Sequence, residues 1–331
     1  MVHPKIYIER QGIVVVGRHL ILETTKYVVD RSDHVRIQTD PIAAFCRYFR
    51  HKHINHWINE APVDLNRFDT KDRLHFLVLF NALSFSYWGT PKWTVPYQGK
   101  KYDGAWGMFC ALAKALHSGY PLLDPGYLAT IPKKDFEQAM KANVQIPLVA
   151  QRWRHAREVG TVLTNDFQGD FHAVIQEAGK DAMRLLALLV KHFPSFEDSS
   201  IYKGQRVFFY KRAQLLISDV YQALHKEGVG NLKNIQGLTA CADYKLPQVL
   251  RRYGILSYSP DLAYKIDAQI PLRKGSQEEV EIRANTIWAV ELMKKALKKR
   301  LPGVDSIHVN DHLWLLSQQK GFYHLTRTTA Y

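Results

Sequence analysis

The sequence predicts a mostly α-helical fold, a helical bundle, on three observations. Long segments carry apolar residues at helical spacing, strand signals are few, and no repeat, low-complexity run or flexible Gly/Ser linker interrupts the chain. Taken in order, residues 6–8 and 13–16 are ambiguous strand candidates. Residues 75–88 form the longest greasy stretch; Asn81, Ser84 and Ser86 break it, and it is too short to cross a bilayer, so a buried helix is expected. Residues 92–95 and 97–101 suggest a small hairpin with Pro96 at its turn. Residues 103–116 place Trp106, Phe109, Cys110, Ala113 and Leu116 on one helical face, and Gly119 and Pro121 then stop the helix. Residues 181–193 (DAMRLLALLVKHF) read as a core helix, 205–226 as about six turns, 279–300 as another long helix and 311–318 as a short one. A coarse division falls near residue 145. An N-terminal helical part, 1–145, holds the aromatic segment and the hairpin, and a C-terminal helical part, 146–331, completes one compact unit.

Composition narrows the function classes. Apolar residues are 46 % and charged residues 23 % of 331, ordinary for a globular chain. Cys46, Cys110 and Cys241 are odd in number and far apart, so neither a disulfide framework nor a zinc cluster is indicated and a reducing, cytoplasmic setting is expected. Residues 1–11 are polar and charged, unlike a secretory leader. The formal net charge of +14 points to an anionic partner. Part of the excess, residues 294–300 (KKALKKR), falls late in a helix, where lysines simply complement the dipole.

Three constellations bear chemistry. In residues 238–254, LTACADYKLPQVLRRYG, Pro247 suits a first helical turn and Gly254 a C-terminal stop, which puts Asp243 just ahead of a helix N-terminus beside the small residues Ala240, Cys241 and Ala242. Such a carboxylate is either a helix cap or an anion at a pocket mouth, able to stabilise an oxocarbenium-like transition state or activate water. In residues 202–219, Lys203, Arg206, Lys211 and Arg212 crowd a helix start, where a bound anion would offset their charge; lysine stems packed over apolar surface are the plainer account. Asp219, two turns on, is a second acid or a partner for a base. In residues 309–316, VNDHLWLL, Asp311 beside His312 and Trp314 either caps a helix or offers a carboxylate to the adjacent N–H donors of a guanine-like edge. His51, His53 and His56 lack a companion carboxylate or cysteine at metal-binding spacing. No GxxxxGK[ST], GxGxxG or GxSxG motif is present.

Six blocks carry a resemblance to the queuosine salvage protein family: FNALSFSYW (80–88), GKKYDGAW (99–106), HFPSFEDSSIYKGQRVFFYKRAQLLISD (192–219), LTACADYKLPQVLRRYGIL (238–256), EEVEIRANTIWAVE (278–291) and NDHLWLL (310–316). The resemblance implies an all-α protein distantly like helix-hairpin-helix DNA glycosylases. It implies hydrolysis of the N-glycosidic bond of queuosine 5′-phosphate, releasing queuine and ribose 5-phosphate for queuine reinsertion into transfer RNA. Asp243 corresponds to the family's catalytic carboxylate, and Lys211, with Arg212 beside it, to the group that meets the phosphate or sugar. Ala240 and Cys241 correspond to residues lining the base pocket, where a larger pair such as Met–Phe is common. Asp311 and His312 correspond to a late aspartate and the residue after it, frequently tyrosine. His56, with His53 as the alternative, corresponds to an upstream histidine. No cofactor or metal, no membrane and no stable nucleic acid complex are expected; the partner is the small-molecule substrate. Two other readings compete: a DNA base glycosylase, against which counts the lack of an LPGVG-type hairpin ahead of Asp243, and a non-catalytic carrier of queuine or a modified nucleotide.

Overall fold

The computed structural model describes residues 18–331; the ambiguous strands at 6–8 and 13–16 and the polar start at 1–11 lie outside the described residues. Among the described residues are fourteen α-helices and three two-stranded antiparallel ribbons, with no closed sheet, so the predicted predominance of helix holds. The chain enters through α1 (Arg18–Val29), β1 (Val35–Ile37) and α2 (Thr39–Tyr48), none singled out by periodicity. These elements close onto the other end of the chain. β1 pairs with β6 (Leu256–Tyr258), Val35 opposite Tyr258, and both helices pack along α13 (Gln277–Lys298).

The greasy stretch forms α3 (Thr70–Leu83), capped by Asp69, whose carboxylate accepts the Asp72 N–H. Residues 73–83 are buried all round, as an unpatterned apolar helix requires. The neighbours that bury it are α4 (Gly104–His117), α7 (Val149–Asp166), α8 (Phe171–Glu177) and α10 (Lys211–Leu224). Two fully buried arginines satisfy carbonyls at its C-terminal end. Arg152 donates to Leu83 and Phe85, and Arg212 donates to Ala82 (2.6 Å) and, across the gap, to Ser195. Cations suit that end of the helix dipole.

The expected hairpin forms with its turn displaced. β2 (Val95–Tyr97) pairs with β3 (Lys100–Tyr102), Pro96 lies in a strand opposite Lys101, and Gln98–Gly99 make the turn with φ of 45° and 76°. Positive φ at both turn residues matches the twist of the paired strands, and proline is tolerated in an edge ribbon. The larger departure is at 205–226, expected as one helix. β4 (Ser199–Tyr202) and β5 (Gln205–Phe208) form a second hairpin about Lys203–Gly204, both again at positive φ, and α10 begins only at Lys211. Lys203 and Arg206 therefore do not front a helix; they pair with Asp33 and Glu197.

The other expected helices hold with shifted ends. α9 (Ala182–His192) is capped by Asp181, α13 by Ser276, and α14 (Ser306–Leu316) starts more than a turn before residue 311. One hydrophobic core runs from Ile21 to Leu313 through both sides of residue 145. No helix among the described residues is long and apolar enough to cross a membrane.

α7 crosses the short α5 (Pro125–Thr130) at Gly160, where a Cβ would lie 2.3 Å from the Ala129 nitrogen and 2.6 Å from the Pro125 carbonyl oxygen. Both obstacles are backbone and cannot swing aside. Gly160→Ala is expected to destabilise the fold by about 3 kcal/mol, the upper part of the overpacking range. A urea midpoint unchanged from wild type would refute the contact.

Candidate active site

A pocket opens between the end of α3, the start of α4, the start of α10, the 238–244 loop and α14. Asp103, Gly104, Lys245 and Gln318 stand at its more exposed part, and Trp57, Phe80, Cys241 and Asn310 in its buried part.

Asp243 lies in its wall. The chain runs through small buried residues, Ala240 to Ala242, and turns into α11 (Lys245–Arg252). Asp243 Oδ1 accepts the N–H groups of Lys245 (2.7 Å) and Leu246 (3.2 Å), while Pro247, next in the first turn, has no N–H to satisfy. Gly254 follows the helix with φ of 68°. The cap is therefore real, and it occupies one oxygen only: Oδ2 has no hydrogen-bond partner among the described residues. Cap and free anion are the same side chain.

Lys211 is the first residue of α10, set there by Tyr210 in the left-handed region (φ 50°). Its side chain lines the pocket, only 6 % exposed, and its ammonium has no hydrogen-bond or ion-pair partner among the described residues. Lys245 adds a second ammonium, which donates to the Ser317 carbonyl (3.3 Å); burial lowers its pKa, with Asp243 opposing.

The buried part is aromatic. Trp314 lies 5.0 Å from Trp57 and 5.3 Å from Trp106, ring centre to ring centre. The indole N–H of Trp106 is buried without a partner among the described residues, although buried donors are ordinarily satisfied. Behind this wall His56 sits between two buried carboxylates, 3.2 Å from Asp219 and 3.9 Å from Asp311. Asp219 accepts from Trp57 (2.9 Å) and Asn81 (2.9 Å), and Asp311 from Gln222 (2.9 Å) and Asn310 (3.1 Å). Asn310 is thereby locked, since its Oδ1 also accepts the Cys241 N–H (2.9 Å).

Burial pushes the Asp311 carboxyl up to about 6; the Asp219 charge adds to the rise and His56 opposes it. A carboxyl raised on folding binds more protons folded than unfolded between about pH 4 and 6, so its cost to stability is full above pH 6 and fades as pH falls. Wild type should gain on the order of 1 kcal/mol relative to Asp311→Asn between pH 7 and pH 5. Denaturation of both proteins at the two pH values checks this, and parallel pH dependences would refute the raised carboxyl.

Of the residues singled out from sequence, Asp243, Lys211 and Cys241 line the pocket, and His56 and Asp311 meet one layer behind it. Ala240 is buried in the loop without reaching the lining. Two residues lie elsewhere. Arg212, expected beside Lys211, spends its guanidinium on carbonyls and stacks over Phe85 and Phe196, because one helical step turns it away from its neighbour. His312 is likewise rotated off the Asp311 face; it stacks on His53 (4.6 Å) against Phe49, and burial pushes its pKa down to about 4. Among the described residues no group of three or more His, Cys, Asp and Glu side chains converges as metal ligands would. Sequence reasoning missed Asn310, Lys245 and Trp57. The first two stand within quoted blocks, and Trp57 directly follows His56.

The fold and the pocket define a predominantly α-helical protein whose pocket lining holds a carboxylate and an ammonium, each without a partner among the described residues, together with a cluster of tryptophans, a set of groups suited to a flat heterocycle on an anionic sugar. Comparison with known proteins gives its family. The family model described as queuosine salvage protein matches residues 65–330, and the chain belongs to that family. Among its relatives are proteins named queuosine 5′-phosphate N-glycosylase/hydrolase from Sphaerobacter thermophilus, Mus musculus and Schizosaccharomyces pombe. The first is 38 % identical over 94 % of this chain and 97 % of its own. The second is 32 % identical over 93 % and 98 %. The third is 27 % identical over 91 % and 93 %.

Proposed function

We propose that this protein hydrolyses the N-glycosidic bond of queuosine 5′-phosphate, releasing queuine and ribose 5-phosphate. The observation that carries the reading is Oδ2 of Asp243, without a partner among the described residues, in the pocket wall of a chain whose relatives bear that activity in their names. The base lies among Trp57, Trp106 and Trp314, with Asn310 and the free Trp106 N–H as polar contacts and Asp311 and His56 fixing Asn310 from behind. Lys211 meets the phosphate or the sugar. Binding energy from these ends holds C1′ near Asp243. As the C1′–N bond breaks, its electron pair leaves with the base, and the Asp243 carboxylate stabilises the positive charge growing on the sugar. A water molecule then adds to C1′ with loss of a proton to Asp243 or solvent, and queuine departs after gaining a proton.

Three cysteines, all unpaired and buried, support a cytoplasmic setting. The division at residue 145 is proposed as two parts of one unit, because the β1–β6 pair and the packing of α1 on α13 join the two sides.

The test is incubation of the purified protein with queuosine 5′-phosphate while queuine is followed by chromatography. Release of free base supports the reading. Tight binding of queuine with no release would return the protein to the carrier reading, and excision of a base from duplex DNA to the glycosylase reading.

A further inference from the structure

Lys211 and Asp243 come from segments more than thirty residues apart, yet the proposed chemistry needs them at a fixed spacing. Neither is held by its own helix alone. Tyr210, ahead of Lys211, provides no side-chain cap, and the 240–242 segment before Asp243 is irregular loop.

One buried ion pair reaches both. Arg283, on α13, forks onto Asp198 through two parallel bonds, Nη1 to Oδ1 at 2.9 Å and Nη2 to Oδ2 at 2.6 Å. Asp198 Oδ2 also accepts the backbone N–H of Lys211 (2.9 Å), and the Asp198 carbonyl accepts the N–H groups of Phe209 and Tyr210. The remaining guanidinium donor, Arg283 Nε, holds the carbonyl of Ala242 (3.1 Å), the residue before Asp243. The Arg283 cation further lies 4.5 Å from the ring of Tyr331, which lines the pocket.

We propose that Asp198 and Arg283 are positioning residues that set the distance between the Lys211 ammonium and the Asp243 carboxylate, and so act on turnover. Buried ion pairs come close to break-even in stability, whereas a bidentate fork fixes geometry in a way a hydrophobic pair cannot. Neither residue lines the pocket, so each acts through its neighbour's backbone. Lysine cannot replace the arginine, because its three donors radiate from one nitrogen, whereas Arg283 reaches the two Asp198 oxygens and the Ala242 carbonyl from three separate nitrogens.

This inference rests on the hydrolase reading, and its test separates the two. Steady-state kinetics on queuosine 5′-phosphate are compared for wild type, Arg283→Lys, Asp198→Asn and a control, Glu281→Gln. Glu281 is as buried and as heavily bonded, accepting the N–H groups of Asp33, His34 and Val35 and the Tyr202 hydroxyl. It stands on a different face of the same helix, outside the pocket. Arg283→Lys should lower kcat about 100-fold, the penalty for a misplacement near 1 Å, with KM within about threefold of wild type. Asp198→Asn, nearly isosteric and the fallback where the lysine variant does not fold, should show the same split. Glu281→Gln should lose thermal stability to a similar degree and keep kcat. The proposal is overturned by full kcat in the Asp198 and Arg283 variants, by a loss confined to KM, or by a control that loses kcat in step with its stability. Inert wild type would sink the hydrolase reading itself, and this inference with it.

Discussion

Asp243→Asn is expected to lower turnover of queuosine 5′-phosphate by about two to three orders of magnitude or more while leaving the fold nearly intact. Asparagine is as good a cap as aspartate, so the bonds that Oδ1 accepts from Lys245 and Leu246 can be kept. What changes is the atom in place of Oδ2, which loses the negative charge that the proposed mechanism sets against the sugar. Asp243→Ala separates the two roles of the side chain. It should lose the same activity and, in addition, about 1 kcal/mol of stability from the missing cap. Single-turnover rates beside melting curves decide the matter. An asparagine variant with near-wild-type turnover would leave Asp243 as a helix cap only.

Lys211→Met should weaken the reaction by removing one buried charge while keeping the length of the stem. A charge-assisted contact to a phosphate is worth about 1.5–3 kcal/mol, which is roughly 10- to 150-fold in affinity. If Lys211 holds the phosphate, KM for queuosine 5′-phosphate rises by that factor and hydrolysis of unphosphorylated queuosine is untouched. An equal fall in kcat on both substrates would instead put the ammonium against the sugar in the transition state. The buried ammonium has no partner among the described residues to release first, so the loss on removing it reports contact with the substrate rather than a broken internal pair.

Much of the site is written locally. Asp243 could be placed ahead of a helix from Pro247 and Gly254 alone, because the absence of an N–H and the freedom to adopt positive φ are properties of single residues. The same holds for the caps at Asp181 and Ser276, whose oxygens serve N–H groups two or three positions on. The second hairpin was legible in principle from Lys203–Gly204, yet the apolar run 207–210 imitates a helical face over so short a span. Arg212 and His312 show the limit of adjacency. Each is next to a residue of the site, and a single helical step of 100° carries each into a different layer.

The sequence by itself determined the helical class and the family, and it singled out Asp243 and Lys211, which the fold places in the pocket lining. These follow from periodicity, from turn residues and from blocks of chemistry in fixed order. Tertiary structure decided that Oδ2 of Asp243 has no partner among the described residues, that His56 is shared by Asp219 and Asp311, and that Arg283 and Asp198 tie two distant segments together. Such facts depend on burial and on contacts between residues far apart in the chain. A carboxylate's partners are set by what the fold brings within 3 Å of it, and local pattern carries no record of that distance.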